Sequence, residues 1–310
     1  HGIGRRQRQM CIRDRFYREG YFYQVLHEGQ QSSAYPVRDP ADLALRPVLD
    51  DDGEPLLIEI PYGKATMKAR AFMARLANVR LYLLDTNLPE NSDEMRDLTA
   101  RLYGGDKRTR IGQEILLGIG SIRLMSAIGR QTDVFHMNEG HAAFSVLELW
   151  ADGLRAGMSR RDAWSATEAK CVFTTHTPVP AGHDRFWWDN VNTLLGPYRE
   201  ELSLREGTFM DLGREDPTDL NTPLSMTILA LRGSRAANGV SALHGAVSRE
   251  MFDGLGFQID HITNGVHPGA WLAPEMEALF DAELPGWRES HSSVEFWGGA
   301  EKLSREGLLA

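Results

Sequence analysis

The sequence has 310 residues, of which 42% are hydrophobic and 25% charged, and a formal net charge of −9. This profile fits a globular protein of one or two domains, and its interleaved charges argue against a nucleic-acid surface. With only Cys11 and Cys171 a disulfide framework and a cysteine zinc site are excluded, and no apolar run approaches the ~20 residues of a membrane helix. We therefore expect a cytoplasmic protein with no membrane or nucleic-acid partner.

The head of the chain differs in composition from the rest. Arg5–Arg15 is strongly basic in an otherwise acidic protein. A basic arm for an anionic surface and a flexible tail are two interpretations. The run also resembles translated sequencing-adapter sequence found in assembled genes. We predict that residues 1–15 are a non-native head, leave them out of the predicted fold, and expect the native chain to start upstream.

The sequence pattern of the next part of the chain predicts three strands. Leu56–Ile60, Met67–Met73 and Val79–Leu84 are apolar or alternating runs. Asp50–Gly53 is predicted as a solvated turn, because the spaced acidic ligands of a calcium loop are missing. The polar segment Asp85–Asn91 then follows the third strand directly.

A long helix follows, predicted by apolar residues that step by three or four from Ile111 to Met125. Gly118 and Gly120 lie inside this pattern, where they lower helix propensity. We expect them to mark a place where the helix packs closely against a neighbour.

Two strand–loop–helix units come next. Val134–Met137 leads into Asn138-Glu139-Gly140-His141, and Cys171–Thr174 leads into a loop with His176, His183 and Asp184. In open α/β sheets, ligands bind beyond the carboxyl ends of neighbouring strands. The two loops are therefore predicted to form one wall of an active site.

Capping and helix-breaking residues in the second half of the sequence predict mainly helices. Ser159 with Asp162 resembles a capping box and predicts a helix to near Lys170. The charged, glycine-broken segment Glu200–Pro217 predicts a surface excursion. A helix is predicted from Thr222-Pro223 to Asn238-Gly239 and another over Val240–Phe252. The other predictions are a loop at His261–Pro268 and helices in the last forty residues.

The polar loops allow several chemistries. His141, His176 and His183 could bind zinc, but they follow no ligand spacing. Glu139 and Asp184 could serve as paired acids for glycoside hydrolysis, whereas no nucleophile elbow occurs. Recognition of a polyol is the fourth interpretation and the one favoured here, because sugar hydroxyls bind amides, carboxylates and imidazoles from several loops. The residues of these types are Asn138, Glu139, His141, His176, Asn238 and Asn264.

Six motifs together resemble a known family, the α-glucan phosphorylases of glycogen and starch, and specifically their short bacterial branch. The likeness runs from about Phe16 to Pro274, and the motifs occur in the family's order. They are Tyr103-Gly104-Gly105-Asp106, Arg110 to Gly118, His136-Met137-Asn138-Glu139-Gly140-His141, Phe173 to Pro178, Asn238-Gly239-Val240 and Thr263-Asn264-Gly265-Val266-His267.

The resemblance implies an α/β fold, namely the Rossmann-like N-terminal lobe of a two-lobed glycosyltransferase-B fold, incomplete at both ends. Residues 16–265 would form part of the glucan-binding lobe, and 266–310 the start of the interlobe or C-terminal region. The implied reaction is reversible phosphorolysis of an α-1,4-glucan by inorganic phosphate, giving glucose 1-phosphate. Pyridoxal phosphate would be held by a lysine beyond Ala310. The resemblance implies no metal, and it leaves the oligomeric state open, with a homodimer as one alternative.

The resemblance also implies roles for individual residues. Catalytic roles fall on His176, which would bond the 6-hydroxyl of glucose, and on Glu139 and His141, which would lie beside the anomeric face. Asn264 would share the 6-hydroxyl, and the backbone of Val240 would lie beneath the sugar.

Three further asparagines complete the predicted substrate site. Asn138 is one, and Asn87 and Asn91 fall in the loop that corresponds to a mobile gate. The family's glycine-rich substrate loop and its phosphate-binding residues have no match in this chain, so we expect the fragment alone to be inactive. Two rival hypotheses remain: a non-catalytic glucan-binding protein and a nucleotide-sugar glucan synthase.

Overall fold

A computed structural model of the chain describes residues 10–20, 22–102, 105–290, 292–305 and 307. Residues 1–9 of the predicted head and Tyr103-Gly104 of the first motif lie outside the described residues. The chain divides into two compact units, residues 1–262 and 263–310. The sequence placed its domain boundary nearby, after residue 265, but the assignment of these parts to lobes stays a prediction.

Strands and helices alternate along most of the chain, which confirms a mixed α/β architecture. The strands are β1 (Met10–Arg15), β2 (Tyr23–His27), β3 (Gln30–Ala34), β4 (Arg46–Pro47), β5 (Leu57–Tyr62), β6 (Ala65–Leu76), β7 (Val79–Asp85), β8 (Phe135–Asn138), β9 (Cys171–Thr175), β10 (Arg185–Phe186), β11 (Leu224–Ser225), β12 (Ala236–Gly239) and β13 (Ile259–His261).

The helices range from one turn to 21 residues. They are α1 (Asp93–Asp97), α2 (Lys107–Ala127), α3 (Phe144–Arg155), α4 (Arg160–Glu168), α5 (Trp188–Glu201), α6 (Glu206–Asp211), α7 (Met226–Arg232), α8 (Ala242–Met251), α9 (Pro268–Trp271), α10 (Pro274–Glu283) and α11 (Val294–Trp297). No helix of the described part of the chain is both long and apolar enough to cross a membrane.

The first sheet has the order β1-β7-β6-β4, with β5 also paired to β6. All its pairs are antiparallel except β1 with β7, where Met10 to Arg15 run parallel to Val79 to Leu84. The backbone of residues 10–15 thus belongs to a sheet, which the predicted fold did not include. Whether residues 1–15 are non-native stays a prediction.

The second sheet is entirely parallel, in the order β13-β12-β9-β8. Its register places Asn138, Thr174, Asn238 and Asp260 side by side across the four strands. The carboxyl ends of β8 and β9 therefore lie together, which confirms that the two polar loops are neighbours. Strand β12 adds a third loop beside them.

The predicted helix from residue 222 to 239 is wrong in its second half. Helix α7 ends at Arg232, and residues 236–239 form β12. Gly233 allows the close approach that ends the helix, because a Cβ there would lie 2.4 Å from Cγ1 of Val146 in α3. The amide of Arg235 then donates to the carbonyl of Cys171 at 3.1 Å, which brings the chain alongside β9.

The predicted surface excursion at residues 200–217 is also wrong. This segment contains the end of α5 and all of α6, and it contributes to the core through Leu202, Leu204, Phe209 and Met210. Charged residues between these positions concealed the apolar pattern.

Helix α2 packs against the first sheet on one side and against α3 on another, and its predicted close packing is confirmed. A Cβ on Gly118 would lie 2.7 Å from Cβ of Phe144 in α3, which covers the parallel sheet. A Cβ on Gly120 would lie 2.8 Å from Cδ1 of Ile60 in β5 and 3.2 Å from Cδ1 of Leu84 in β7. The backbone of α2 therefore approaches both α3 and the first sheet closely.

The second unit is small and helical, as predicted for the end of the chain. It contains α9, α10 and α11 and buries Phe280, Leu284 and Trp287 in a core of its own.

We predict that Gly118→Ala destabilises the protein by about 1–3 kcal/mol, because the added methyl group overpacks the contact of α2 with α3. Urea unfolding followed by circular dichroism measures the change.

Gly207→Ala in α6 is the matched control. Its Cβ would meet only one atom, a carboxyl oxygen of Asp211 at 3.9 Å, so we expect this variant to be neutral or slightly stabilised through helix propensity. Equal unfolding midpoints for the two variants would contradict the packing argument.

Candidate functional site

Glu139, directly after β8, holds the loop that follows β9. Its Oε1 accepts hydrogen bonds from the Thr177 amide at 2.9 Å, from the Thr175 hydroxyl at 3.1 Å and from the His176 amide. Its Oε2 accepts from the Gly140 amide at 3.2 Å. Glu139 has only 9% of its surface exposed. Its carboxylate therefore connects the two predicted site loops through buried hydrogen bonds.

The backbone of Glu139 is strained. Its φ of 68° and ψ of 168° fall in a region that side chains other than glycine rarely adopt and that costs on the order of 1–3 kcal/mol. Burial acts to raise the pKa of Glu139, but the amides of His176 and Gly140 stabilise the carboxylate and lower it. The side chain is thus an ionised acceptor whose oxygens are already occupied, which describes a positioning residue. Its predicted catalytic role stays a prediction.

His176 begins the loop that Glu139 holds. The amide of His176 is fixed by the carboxylate, whereas its ring nitrogen Nε2 is buried and has no hydrogen-bond partner among the described residues. A buried polar atom without a partner costs free energy unless a ligand or water satisfies it. The ring is therefore set up to form a hydrogen bond with a group from elsewhere, and Nε2 of His183 on the same loop is likewise buried without a partner among the described residues.

The third loop follows β12. The amide of Val240 donates to Nδ1 of His244 at 3.3 Å, and a Cβ on Gly239 would lie 2.8 Å from the same nitrogen. Gly239 also lies opposite Thr175 in the sheet, so Val240 and His176 occupy equivalent positions after neighbouring strands. The sequence analysis missed this partnership; the signal was a histidine four residues after Val240, in the first turn of α8.

A hydrogen-bond ladder crosses three strands just before these loops. Nε2 of His136 lies 2.7 Å from the Thr174 hydroxyl, which donates to Oδ1 of Asn238 at 3.0 Å. Burial and the nearby His176 lower the pKa of His136, so the neutral ring donates from Nε2. Asn138 is exposed at the end of β8, and its role toward substrate stays a prediction.

A second cluster lies at the start of α2 and includes His141. The Nη2 atom of Arg110 lies 2.7 Å from Nδ1 of His141 and 2.8 Å from Oδ2 of Asp184. Nε of Arg110 lies 3.1 Å from Oε1 of Glu114. One guanidinium thus bridges an imidazole and two carboxyl groups.

Glu114 is completely buried, and although Nε of Arg110 is close to it, neither carboxyl oxygen has a described hydrogen-bond partner in good geometry. Burial raises the pKa of Glu114 to about 8, so the carboxyl is mainly protonated at pH 7. Burial also acts to raise the pKa of Asp184, but its hydrogen-bonding neighbours, among them the Arg110 guanidinium, outweigh burial, and the pKa falls well below its usual range. The cluster therefore pairs one ionised carboxylate with Arg110.

Two influences on His141 oppose each other. Burial lowers its pKa, yet the carboxyl groups of Asp184 and Glu114 outweigh burial and raise it to about 9. Arg110, however, can donate to Nδ1 at 2.7 Å only if that nitrogen carries no proton. The contact is the more direct constraint, so in this arrangement His141 is neutral with its proton on Nε2. Protonation of Nδ1 and the bond from Arg110 are mutually exclusive.

The donor atoms of Glu114, His141 and Asp184 lie within 4.8 Å of one another and could surround a cation. The guanidinium of Arg110 already supplies a positive charge at this position. A metal ion would have to displace it, so the geometry favours an ion pair over a metal centre.

Asn91, one of the two predicted gate residues, is buried and fixed. Its Oδ1 accepts from the Lys68 amide at 2.9 Å, and its Nδ2 donates to the carbonyls of Lys68 at 2.7 Å and Thr86 at 2.8 Å. Asn87 is half-buried, and its Oδ1 accepts from Nε of Arg96 at 3.2 Å. Asn91 thus links β6 to the loop after β7, and this fixed side chain differs from a mobile gate. The substrate roles of Asn87 and Asn91 stay predictions.

Asn264 is exposed and belongs to the second unit. Its predicted meeting with His176 at one sugar hydroxyl stays a prediction. Among the first unit's residues, the sequence reasoning missed the role of Arg110 and Glu114. The signal was a charge pair four residues apart, with Glu114 next to Ile115 on the apolar stripe of α2.

Comparison with known proteins gives consistent relatives. The chain is 38% identical over 301 residues to the maltodextrin phosphorylase of Thermococcus litoralis, covering 94% of this chain and 35% of that protein. It is 44% identical over 296 residues to the glycogen phosphorylase of Mycobacterium tuberculosis, covering 87% of this chain and 33% of that protein. The corresponding enzyme of Aquifex aeolicus is 27% identical over 287 residues. No protein-family model matches the chain. The chain spans about a third of the length of the first two relatives.

We predict that Glu139→Ala releases the loop after β9 and destabilises the protein by roughly 2–4 kcal/mol, because buried donors lose a charged acceptor. Hydrogen exchange at the His176 and Thr177 amides should accelerate more than elsewhere. Because the folded-state pKa is lowered, the carboxylate stabilises the protein above the ordinary pKa of 4.5 and loses this effect as the pH falls below it.

Glu139→Gln is the control, since it retains one oxygen acceptor toward the loop and should show a smaller loss of protection. Unchanged exchange at both amides in Glu139→Ala would refute the assignment of Glu139 as a positioning residue.

We predict that Glu114→Gln becomes progressively more stable than the parent as the pH rises from about 5 to about 8. The raised pKa of Glu114, about 8 against 4.5 ordinarily, means that unfolding releases a proton in this window, so the parent loses stability there by a few kcal/mol, ~3. Thermal unfolding across the pH range measures the difference.

Glu94→Gln is the contrasting variant, because hydrogen bonds from Arg108 and Tyr62 outweigh the effect of burial and lower the pKa of Glu94. It should show no growing advantage between pH 5 and 8. A constant difference between parent and Glu114→Gln over that window would argue against a buried neutral acid.

Proposed function

The chain belongs to the glycogen and maltodextrin phosphorylase family, and from that premise we propose that it is the glucan-binding part of an α-1,4-glucan phosphorylase. The full-length protein would transfer the terminal glucosyl unit of glycogen, starch or maltodextrin to inorganic phosphate and release glucose 1-phosphate. In this proposal residues 16–265 form part of the Rossmann-like N-terminal lobe of a two-lobed glycosyltransferase-B enzyme. A cytoplasmic location suits a glucan-consuming enzyme, and a homodimer stays a prediction.

The alignment of three parallel strand ends is the observation that supports the proposal most. The loops after β8, β9 and β12 place Glu139, His176 and Val240 next to one another. A glucosyl ring needs hydrogen-bonding groups that converge from several loops, and adjacent parallel strands provide that convergence at their carboxyl ends.

Each of these residues has a distinct part in the proposed site. Glu139 holds the His176 loop in place, which leaves the imidazole of His176 to bind a sugar hydroxyl. The backbone at Val240, fixed through His244, would support the ring from the neighbouring loop. Because positions are set before the ligand arrives, little ordering entropy is lost on binding.

Asn138, Asn87, Asn91 and Asn264 are proposed as further substrate contacts on the strength of the family resemblance. The side-chain amide of Asn91 already bonds to the backbone of Lys68 and Thr86. Asn91 would therefore contribute to substrate binding by fixing the position of its loop. His141 is proposed to lie beside the anomeric face, with its tautomer fixed by Arg110.

Pyridoxal phosphate is the cofactor that the family resemblance implies. It would contribute a phosphate group that exchanges protons with the substrate phosphate. The lysines described here do not fit an imine-forming role, because Lys64, Lys107, Lys170 and Lys302 are exposed and Lys68 is half-buried. We therefore place the cofactor outside these 310 residues and derive no step through it.

We predict that the 310-residue chain alone releases no glucose 1-phosphate from maltodextrin and phosphate, whereas the full-length protein does. Stabilising the phosphate in the transition state requires donors on both sides of the substrate, and this chain supplies one side. A coupled assay with phosphoglucomutase measures the product.

A matched run without inorganic phosphate serves as the control for hydrolysis. Full-length protein that binds maltodextrin without releasing product would support the rival glucan-binding hypothesis. Release of glucose 1-phosphate by the chain alone would overturn the proposal that this chain supplies only one side of the phosphate-binding site.

A further inference from the structure

The loop after β9 is exposed in its middle and buried at both ends. Residues 178–182 are exposed, whereas Thr175 before them and His183 after them are buried. Glu139 holds the first end of the loop as far as Thr177. An exposed loop that is fixed at one end can still move at the other, so its conformation also depends on what holds the second end.

The imidazole of His183 anchors this second end to α7. Its Nδ1 lies 2.7 Å from the hydroxyl oxygen of Thr227, in the first turn of α7, and its ring packs edge-on against Phe252 with the ring centroids 5.5 Å apart. Burial lowers the pKa of His183 and outweighs Glu139 and the Thr177 backbone, which act to raise it. Because Nε2 is buried without a partner in good geometry among the described residues, the contact with Thr227 is the one that offsets the cost of burying this ring.

The first turn of α7 also lies against the loop after β8. A Cβ on Gly140 would lie 3.3 Å from the hydroxyl oxygen of Thr227 and 3.2 Å from Cβ of Met226. On the other side, the Met226 amide donates to the carbonyl of Asp184 at 3.0 Å, and β10 pairs with β11 directly before α7. One turn of helix therefore supports both of the loops that carry the candidate site.

The anchor at His183 reaches His176 through a close contact between the two ends of the loop. A Cβ on Gly182 would lie 2.5 Å from Cγ2 of Thr177. The residue before His183 thus packs directly against the residue after His176. A shift of the second end would displace Thr177, because closely packed atoms leave no space to absorb it, and His176 would move with its neighbour.

We propose that His183 and Thr227 are positioning residues that place the imidazole of His176 against its sugar hydroxyl, and so set how strongly the full-length enzyme prefers a glucosyl unit with that hydroxyl. Neither side chain has to touch the sugar. The inference rests on the proposed function, in which His176 binds a sugar hydroxyl that the family resemblance identifies as the 6-hydroxyl. Removing the Thr227 hydroxyl leaves a buried imidazole without its partner, which favours a displaced ring and a displaced loop.

The first test is Thr227→Val in the full-length protein, assayed toward glucan synthesis by phosphate release from glucose 1-phosphate and from its 6-deoxy analogue. The ratio of kcat/KM for the two sugar phosphates should fall about fivefold or more, because the misplaced imidazole no longer favours the hydroxylated sugar. Thr227→Ser, which keeps the hydroxyl, should restore the ratio. An equal loss of kcat/KM on both sugar phosphates would overturn the proposal, since a merely structural role predicts that result.

The second test measures hydrogen exchange at the Thr177 and His183 amides of the same full-length variants, with Thr167→Val as the matched control. Thr167 is also a buried helical threonine, but its hydroxyl donates to the carbonyl of Ala163 in its own helix at 2.9 Å. Both amides should exchange about tenfold faster in Thr227→Val and at the parent rate in Thr167→Val.

The two tests separate failure of this inference from failure of the proposed function. Unchanged exchange in Thr227→Val would overturn the positioning role, even in an active enzyme. A parent protein that turns over neither sugar phosphate would overturn the proposed function, and the exchange rates alone would then confirm or overturn the anchoring of the loop by His183 and Thr227.

Discussion

The site of this protein depends on one carboxylate placed between two strand ends. Parallel strands bring their loops to the same edge of a sheet, but they do not fix the loops' conformations. Glu139 does so by accepting hydrogen bonds from three consecutive residues, the last of β9 and the first two of the loop after it, and from Gly140. The strained backbone of Glu139 is offset by these charged hydrogen bonds, which are stronger than neutral ones. Without this carboxylate, the position of His176 would rest on loop packing alone.

Helix α2 links this site to the rest of the molecule. Its first two turns carry Arg110 and Glu114 to the cluster around His141, and its middle presents Gly118 to α3 and Gly120 to the first sheet. The position of the buried Glu114 carboxyl therefore depends on the close packing of the α2 backbone at Gly118 and Gly120. Such an acid tolerates burial because it is protonated, and its neighbour Asp184 stays ionised because Arg110 pairs with it.

The sequence was informative where local pattern and global fold agree. Apolar runs followed by polar residues predicted β8, β9 and their shared edge, and the three-to-four spacing predicted α2. It failed where tertiary contacts decided the outcome. Residues 236–239 became a strand because Arg235 bonds to the backbone beside β9, and the core positions between residues 202 and 210 were hidden among charges. No local sequence signal distinguishes a buried Asn91 that bonds to the backbone from an Asn91 in a mobile loop, since the same side-chain amide suits both.

The glycine contacts of α2 also limit how this protein can vary. At Gly118 and Gly120 the helix meets its neighbours without an intervening side-chain layer, so small volume changes in Phe144 or Ile60 have no flexible side chain opposite to absorb them. Substitutions there would be accepted in coupled pairs, or only toward smaller residues. The first sheet, α2 and α3 thus form a unit in which the side chain at one of these contacts limits the volume that is accepted opposite it.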